Sequence, residues 1–240
     1  IMPKQMNNII HFISIPFTGL GLGSGPHSRG YRGDSWFKYR ISVFKKYTLP
    51  SLLNQTNKNF IIWLQFRPEE QRNPICIELG KYMAGIKHPF AFTFGGITIW
   101  DDKHENDKLY ERLQSTLPTL DVYIGNKDWV YMTNIASDDM YRGDVVAEAQ
   151  AQAPAYKKAF GYPLGYLLNA GTHQVAEYNA ITHAPFYTIV FPKDVFLDPQ
   201  KHFDYIGPYK SHEYIPDIFN YSKLEGRKYC VLVHGENIST

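Results

Sequence analysis

Short apolar runs alternate with amphipathic stretches through the first 150 residues, and this alternation sets most of the expected elements. Asn8 to Phe17 reads as a strand and runs into the loop Gly19-Leu20-Gly21-Leu22-Gly23-Ser24-Gly25-Pro26. Asp34 or Ser35 can cap a helix in which Phe37, Ile41 and Phe44 share one face at i, i+4 and i+7. Pro50 suits the first turn of a second short helix over 51–55. Asn54 to Asn59 breaks the pattern, and Phe60 to Leu64 then reads as a fully buried strand. A helical segment is expected around Glu78 to Met83, followed by β-like runs at Phe90 to Phe94 and Ile97 to Trp100. Leu109, Leu113 and Leu117 repeat every four residues and predict a helix over Asp107 to Leu117. Trp129 to Ile135 is the next strand, and Asp144 to Gln152 a helix stopped by Pro154.

Strands alternating with helices predict an α/β fold with a largely parallel, Rossmann-like sheet. Beyond Pro154 the texture changes, as Gly161, Pro163, Gly165 and Gly171 punctuate short Tyr- and Leu-rich pieces. Pro185 to Phe191 and Lys228 to Val233 are further strands, and Lys193 to Lys223 between them shows little period. The expected organisation is an α/β portion over 1–150 and a smaller mixed portion over 151–240 closing over it.

Composition narrows the classes. With 44% hydrophobic and 20% charged residues in 240, the chain is neither a disordered tail nor a solvating acidic segment. A net charge of +2 gives no reason to expect nucleic acid as a partner. The 18 tyrosines suit stacking on rings or sugars, and suit plain packing equally. Cys76 and Cys230 both sit in apolar surroundings, which predicts buried, reduced thiols and so the cytoplasm. The longest near-apolar stretch, Ile9 to Phe17, is far short of the ~18 residues a membrane span needs. A cytoplasmic location is expected, the inner face of the membrane included.

The candidate chemistry is sparse. The glycine-rich loop has no Gly-x-Gly-x-x-Gly spacing and does not support a nicotinamide site. More informative is Thr133-Asn134-Ile135-Ala136-Ser137-Asp138-Asp139, where two adjacent carboxylates follow a strand. Ligands of open α/β sheets gather at such strand ends. Adjacent carboxylates repel by roughly 1 kcal/mol or more unless a cation or donors compensate, and a hard divalent ion does so. The alternative is a solvated turn with one Asp capping the next helix. His234 ends the strand over 228–233 and either completes a mixed carboxylate–histidine metal site or is simply hydrogen-bonded. His212-Glu213 is a general base or a surface pair, and Asp101-Asp102 contacts a nucleotide or lies in a turn. Arg40 either reaches donor phosphates or stays in water on its helix face.

Two segments carry a resemblance. Trp36 to Leu64, WFKYRISVFKKYTLPSLLNQTNKNFIIWL, and Asp128 to Val146, DWVYMTNIASDDMYRGDVV, resemble glycosyltransferases of the GT-A fold, above all the bacterial rhamnosyltransferase family and its inverting, family-2-like relatives. The closing VHGENIS is similar to that family's C-terminal histidine segment. The resemblance implies a nucleotide-diphosphate sugar donor, a hydroxyl acceptor such as a glycan, and a role in building surface polysaccharide. It also implies Mn²⁺ or Mg²⁺ bridging the donor phosphates, with Asp138 and His234 as metal ligands and Asp139 beside them on the donor side; Arg40, Asp101 and Asp102 are the further donor-side candidates by position. Glu213 is the preferred catalytic base, with Asp217 and then Glu177 behind it.

The chain departs from the family's pattern where the first motif Asp is Ala136, where a preceding Arg is Asn134, and where Thr-Arg-Phe is replaced by Ile15-Pro16-Phe17-Thr18. Ala136 favours a second reading, a catalytically silent module that holds a sugar nucleotide or glycan. A sugar-1-phosphate nucleotidyltransferase is the third. It would carry a basic glycine loop directly after the first strand, whereas here the first basic residue other than His27 is Arg29.

Overall fold

A computed structural model describes residues 8–18, 32–95, 106–180, 185–207, 212–235 and 237. The glycine-rich loop, the run 97–100 and the Asp101-Asp102 pair lie outside the described residues. Apolar continuity makes the first strand, β1 (Ile9–Pro16), buried at every position. Its side chains alternate between two layers: Ile10 and Phe12 join one core cluster, and Ile13 and Ile15 join another on the opposite face.

The expected helix follows as α1 (Asp34–Val43), but it does not stop there. One wide turn over Phe44–Thr48, where the Leu49 N–H reaches five residues back to the Phe44 carbonyl, carries it straight into α2 (Leu49–Leu53). Pro50 lacks an N–H and its ring crowds the carbonyl four residues back, so the widened turn lets a single rod accommodate it. The predicted break between two helices is therefore a bulge.

Strand β2 (Ile61–Gln65), α3 (Pro74–Ala84) and β3 (Phe90–Thr93) come next. Helix α4 (Asn106–Ile124) runs past Leu117 and Pro118 because Leu120 and Ile124 continue its buried stripe. Then come β4 (Trp129–Asn134), the short β5 (Met140–Tyr141) and α5 (Val145–Ala151). In the second half lie β6 (Lys158–Gly161), β7 (Leu164–Asn169), β8 (Val175–Asn179) and β9 (Tyr187–Pro192). The stretch without period folds as α6 (Lys193–Leu197), α7 (Pro199–Ile206), α8 (Ile215–Ile218) and β10 (Asn220–Lys223), before β11 (Arg227–Val233).

Among the described residues the main sheet has the order β10-β6-β9-β4-β1-β2-β3. The block β4-β1-β2-β3 is parallel and β9 is antiparallel to both its neighbours. The fold is thus α/β with a mostly parallel central sheet. Strands β6, β9 and β10 extend that sheet, while β5-β11-β7-β8 form a second one, so residues 151–240 contribute to both. No helix among the described residues is long and apolar enough to cross a membrane. Both cysteines are free, Cys76 buried and Cys230 half-buried.

From β1 the chain moves outward through β2 to β3, then returns to place β4 on the other side of β1. The strand order reverses between β1 and β4, and open α/β sheets take their ligands outside the carboxyl ends of the strands at such a reversal. Asp138 and Asp139 follow β4 at that end.

Candidate functional site

The acidic turn is held by the rod α1–α2. Thr48 Oγ1 donates to the Ser137 carbonyl at 3.1 Å, and Ser51 Oγ accepts the Tyr141 N–H at 3.2 Å. Gln55 Nε2 donates to the Arg142 carbonyl at 2.8 Å, while its Oε1 accepts the Val146 N–H at 3.0 Å. Thr48 and Gln55 are buried polar side chains, so these bonds satisfy groups that would otherwise be orphaned. The two segments carrying the family resemblance are therefore bonded to one another across the chain.

Arg40, in the second turn of α1, points into the same turn. Its Nε donates to Ser137 Oγ at 2.8 Å and its Nη2 to Asp138 Oδ1 at 2.7 Å, with Nη1 2.6 Å from Asp138 Oδ2. This is a bidentate pair between side chains 2% and 6% exposed. Burial pulls the guanidinium pKa down from its ordinary value, and Asp138 and then Asp139 push it back up. The Trp36 ring lies 5.9 Å from the guanidinium. An arginine solvated on its helix face is thus ruled out by the packing.

From the other side comes β11. Its antiparallel pairing with β5, Cys230 opposite Met140, carries the following residues past the acidic turn. The Leu232 N–H donates to Asp139 Oδ1 at 3.1 Å, and His234 Nε2 lies 3.0 Å from Asp138 Oδ2. Asn237 closes this end: it accepts the His234 N–H at 2.6 Å, donates to the Leu232 carbonyl at 2.8 Å and reaches Asp138 Oδ2 at 3.4 Å. The Tyr39 ring sits 5.5 Å from the His234 ring. Burial, and next the neighbouring Asp138, raise the Asp139 pKa well above the carboxylate range, opposed by the Leu232 N–H and Arg40.

Asp138, Asp139, Arg40 and His234 are therefore assembled in one place, past the carboxyl end of β4. Glu213 and Asp217 are not brought there. They are exposed on the segment leading into β10, which begins level with Tyr131, toward the opposite end of the sheet from Asp138. Ile215 between them packs into the core cluster on the face away from α1. This register sets Glu213 and Asp217 apart from the Arg40–Asp138 pair. Glu177 lies on β8 in the second sheet, bonded to Arg227 Nη2 at 2.6 Å.

The donor set for a divalent ion was tested on the same contacts. Both oxygens of Asp138 are committed to Arg40, one also faces His234 and Asn237, and Asp139 is tied to β11. No group of three or more His, Cys, Asp or Glu is disposed to hold a metal ion among the described residues. As arranged, these residues do not fit Mn²⁺ or Mg²⁺.

The roles of Thr48, Ser51, Gln55 and Asn237 escaped the sequence reading. For the first three the legible signal was their spacing at i, i+3 and i+7, which puts Thr48, Ser51 and Gln55 on one helix face.

No protein-family model matches the chain, and no curated sequence matches it significantly. Solved structures resemble it loosely. The S. aureus TarS 1-349 structure in complex with UDP superposes with a TM-score of 0.38 at 12% identity, covering 93% of this chain and 60% of TarS 1-349. The chain thus spans less than two thirds of TarS 1-349. The inositol-1-phosphate CTP transferase from T. maritima gives 0.40 at 10% identity, covering 93% and 89%. The 4-diphosphocytidyl-2C-methyl-D-erythritol synthase from Anaerococcus prevotii gives 0.39 at 9%, covering 99% and 92%. At such scores none of these likenesses carries weight for the chemistry.

Proposed function

We propose that the protein is a glycosyltransferase that moves a sugar from a nucleotide-diphosphate donor to a hydroxyl acceptor with inversion. The observation that carries this reading is the buried Arg40–Asp138–His234 cluster at the strand-order reversal, built by the two segments that resemble GT-A glycosyltransferases together with the closing histidine segment. A crevice at that point of an open α/β sheet is where such folds take nucleotides.

In this reading the leaving diphosphate gains negative charge as the anomeric bond breaks, and fixed positive charge at the crevice lowers that barrier. Arg40 supplies such charge, and the exposed Arg32 is close enough for its charge to bear on Arg40. The acceptor hydroxyl must lose its proton to a base. Of the carboxylates weighed for that role, Glu177 belongs to the sheet whose strand β11 reaches Asp139.

The test is donor turnover: UDP-, dTDP- and GDP-sugars incubated with the protein, with release of the nucleoside diphosphate followed by chromatography. Release of nucleoside diphosphate supports the transferase. Release of pyrophosphate from a nucleoside triphosphate and a sugar phosphate would point to the nucleotidyltransferase. Donor binding without turnover would point to the silent module that Ala136 favours.

A further inference from the structure

We propose that the Arg40 guanidinium takes the place of the divalent ion in this chain, so that the acidic pair binds neither Mn²⁺ nor Mg²⁺ and the site takes a nucleoside diphosphate without one. The metal half of this inference stands on the chain's own residues. The nucleotide half rests on the function proposed above.

Three observations converge. Arg40 comes from α1, through Nε to Ser137 and through both terminal nitrogens to the two oxygens of Asp138. A hard cation at this carboxylate would have to displace a bidentate, nearly fully buried guanidinium and leave that charge buried and unpaired. Second, position 136, where the resemblance would bring another carboxylate, is alanine in this chain. The loss of that negative charge matches the presence of a built-in positive one. Third, Asp139 is tied through Oδ1 to the Leu232 N–H at 3.1 Å, so the second carboxylate of the pair is also engaged by the protein itself.

The arrangement also fits the proposed ligand. Arginine presents five N–H donors in a planar fork suited to phosphate oxygens, and it remains charged under all working conditions. Ser137 and Asp138 engage Nε, Nη1 and Nη2, so the side chain is fixed before any ligand arrives and acts on a phosphate chiefly through its charge, with little side-chain entropy left to lose.

The test uses the full chain. Electron paramagnetic resonance of Mn²⁺ titrated into the protein should show no tight site in the wild type. In Arg40→Met, which releases Asp138 and removes the opposing charge, one Mn²⁺ should bind at least tenfold more tightly than to the wild type. Calorimetry with UDP, GDP and dTDP should give the same affinity in EDTA and in Mn²⁺ for the wild type, and at least a tenfold loss in EDTA for Arg40→Met. Arg40→Lys keeps the charge without the fork. It guards against a misfolded Met variant and should stay closed to Mn²⁺ while losing part of the nucleotide affinity.

A stoichiometric Mn²⁺ site in the wild type that Asp138→Asn removes would overturn the inference, as would nucleotide binding abolished by EDTA. If no nucleotide binds under any condition while the Mn²⁺ results hold, the functional reading fails and the counter-charge assignment survives.

Discussion

Asp138 and Arg40 are each other's counter-ion inside the protein, so removing either charge strands the other. Asp138→Asn should lower stability by about 3–5 kcal/mol, seen as a fall in the urea midpoint. A much smaller loss would mean that water reaches the pair. Two histidines set the acid limit. Burial pushes His11 down to about 3 and His202 down to about 4, so both are neutral in the folded state near pH 7. In the unfolded chain they protonate near their ordinary value of about 6.5, so stability is full above that pH and drains away as pH falls toward the folded values. By pH 5 each should cost about 2 kcal/mol, and His202→Phe should flatten the dependence of the urea midpoint between pH 7 and pH 5. Which acidic residues matter was partly legible at this scale: adjacent Asp138 and Asp139 at a strand end announced themselves. That Arg40 answers them was not, because a lysine- and arginine-bearing helix looks the same in sequence whether one basic side chain is buried or all are solvated.

The α1–α2 rod is the element that builds the site. Its apolar positions bury against β1 and β2, while Thr48, Ser51 and Gln55 tie the acidic turn and the start of α5 in place. Gln55→Leu keeps the volume but leaves the Arg142 carbonyl and the Val146 N–H without their side-chain partner. It should cost about 1–3 kcal/mol by chemical denaturation and shift the amide exchange of 142–146. The Asn73 side chain accepts the Ile75 N–H at the start of α3, so Asn73→Ala should cost about 1 kcal/mol with no effect on nucleotide binding. Strong apolar runs revealed β1, β2, β4, β9 and β11 with small errors at their ends. The α6–α8 region was illegible because its helices are four to eight residues long and too short to show a period. The continuity of α1 with α2 was hidden by Pro50, since sequence shows the missing N–H but not the wide turn that accommodates it.

At the scale of the whole molecule, the second half of the chain completes the first. Strand β9 covers the open edge of β4, and β11 delivers the Leu232 N–H and His234 to the acidic pair. A fragment ending at residue 150 should therefore lack a cooperative urea transition and near-ultraviolet circular dichroism, although it contains β1 to β4. A well-folded fragment would show that the parallel block is self-sufficient. Gly165 packs against the Tyr229 ring so closely that a Cβ there would overlap it, so Gly165→Ala should disturb the second sheet and, through β11, the Asp139 contact.

Local order fixed the elements: apolar continuity chose strands, four-residue spacing chose helices, and their alternation chose a parallel α/β sheet. All of these follow from which face of a short segment must leave water, and that is written within a dozen neighbouring residues. The site was decided by tertiary structure, because Arg40, Asp138 and His234 follow one another at intervals of about a hundred residues and meet only when β4 crosses back beside β1 and β11 pairs with β5. Whether a carboxylate faces a metal ion, water or a guanidinium depends on what the distant chain brings to it, and charge in a buried place is set by that company.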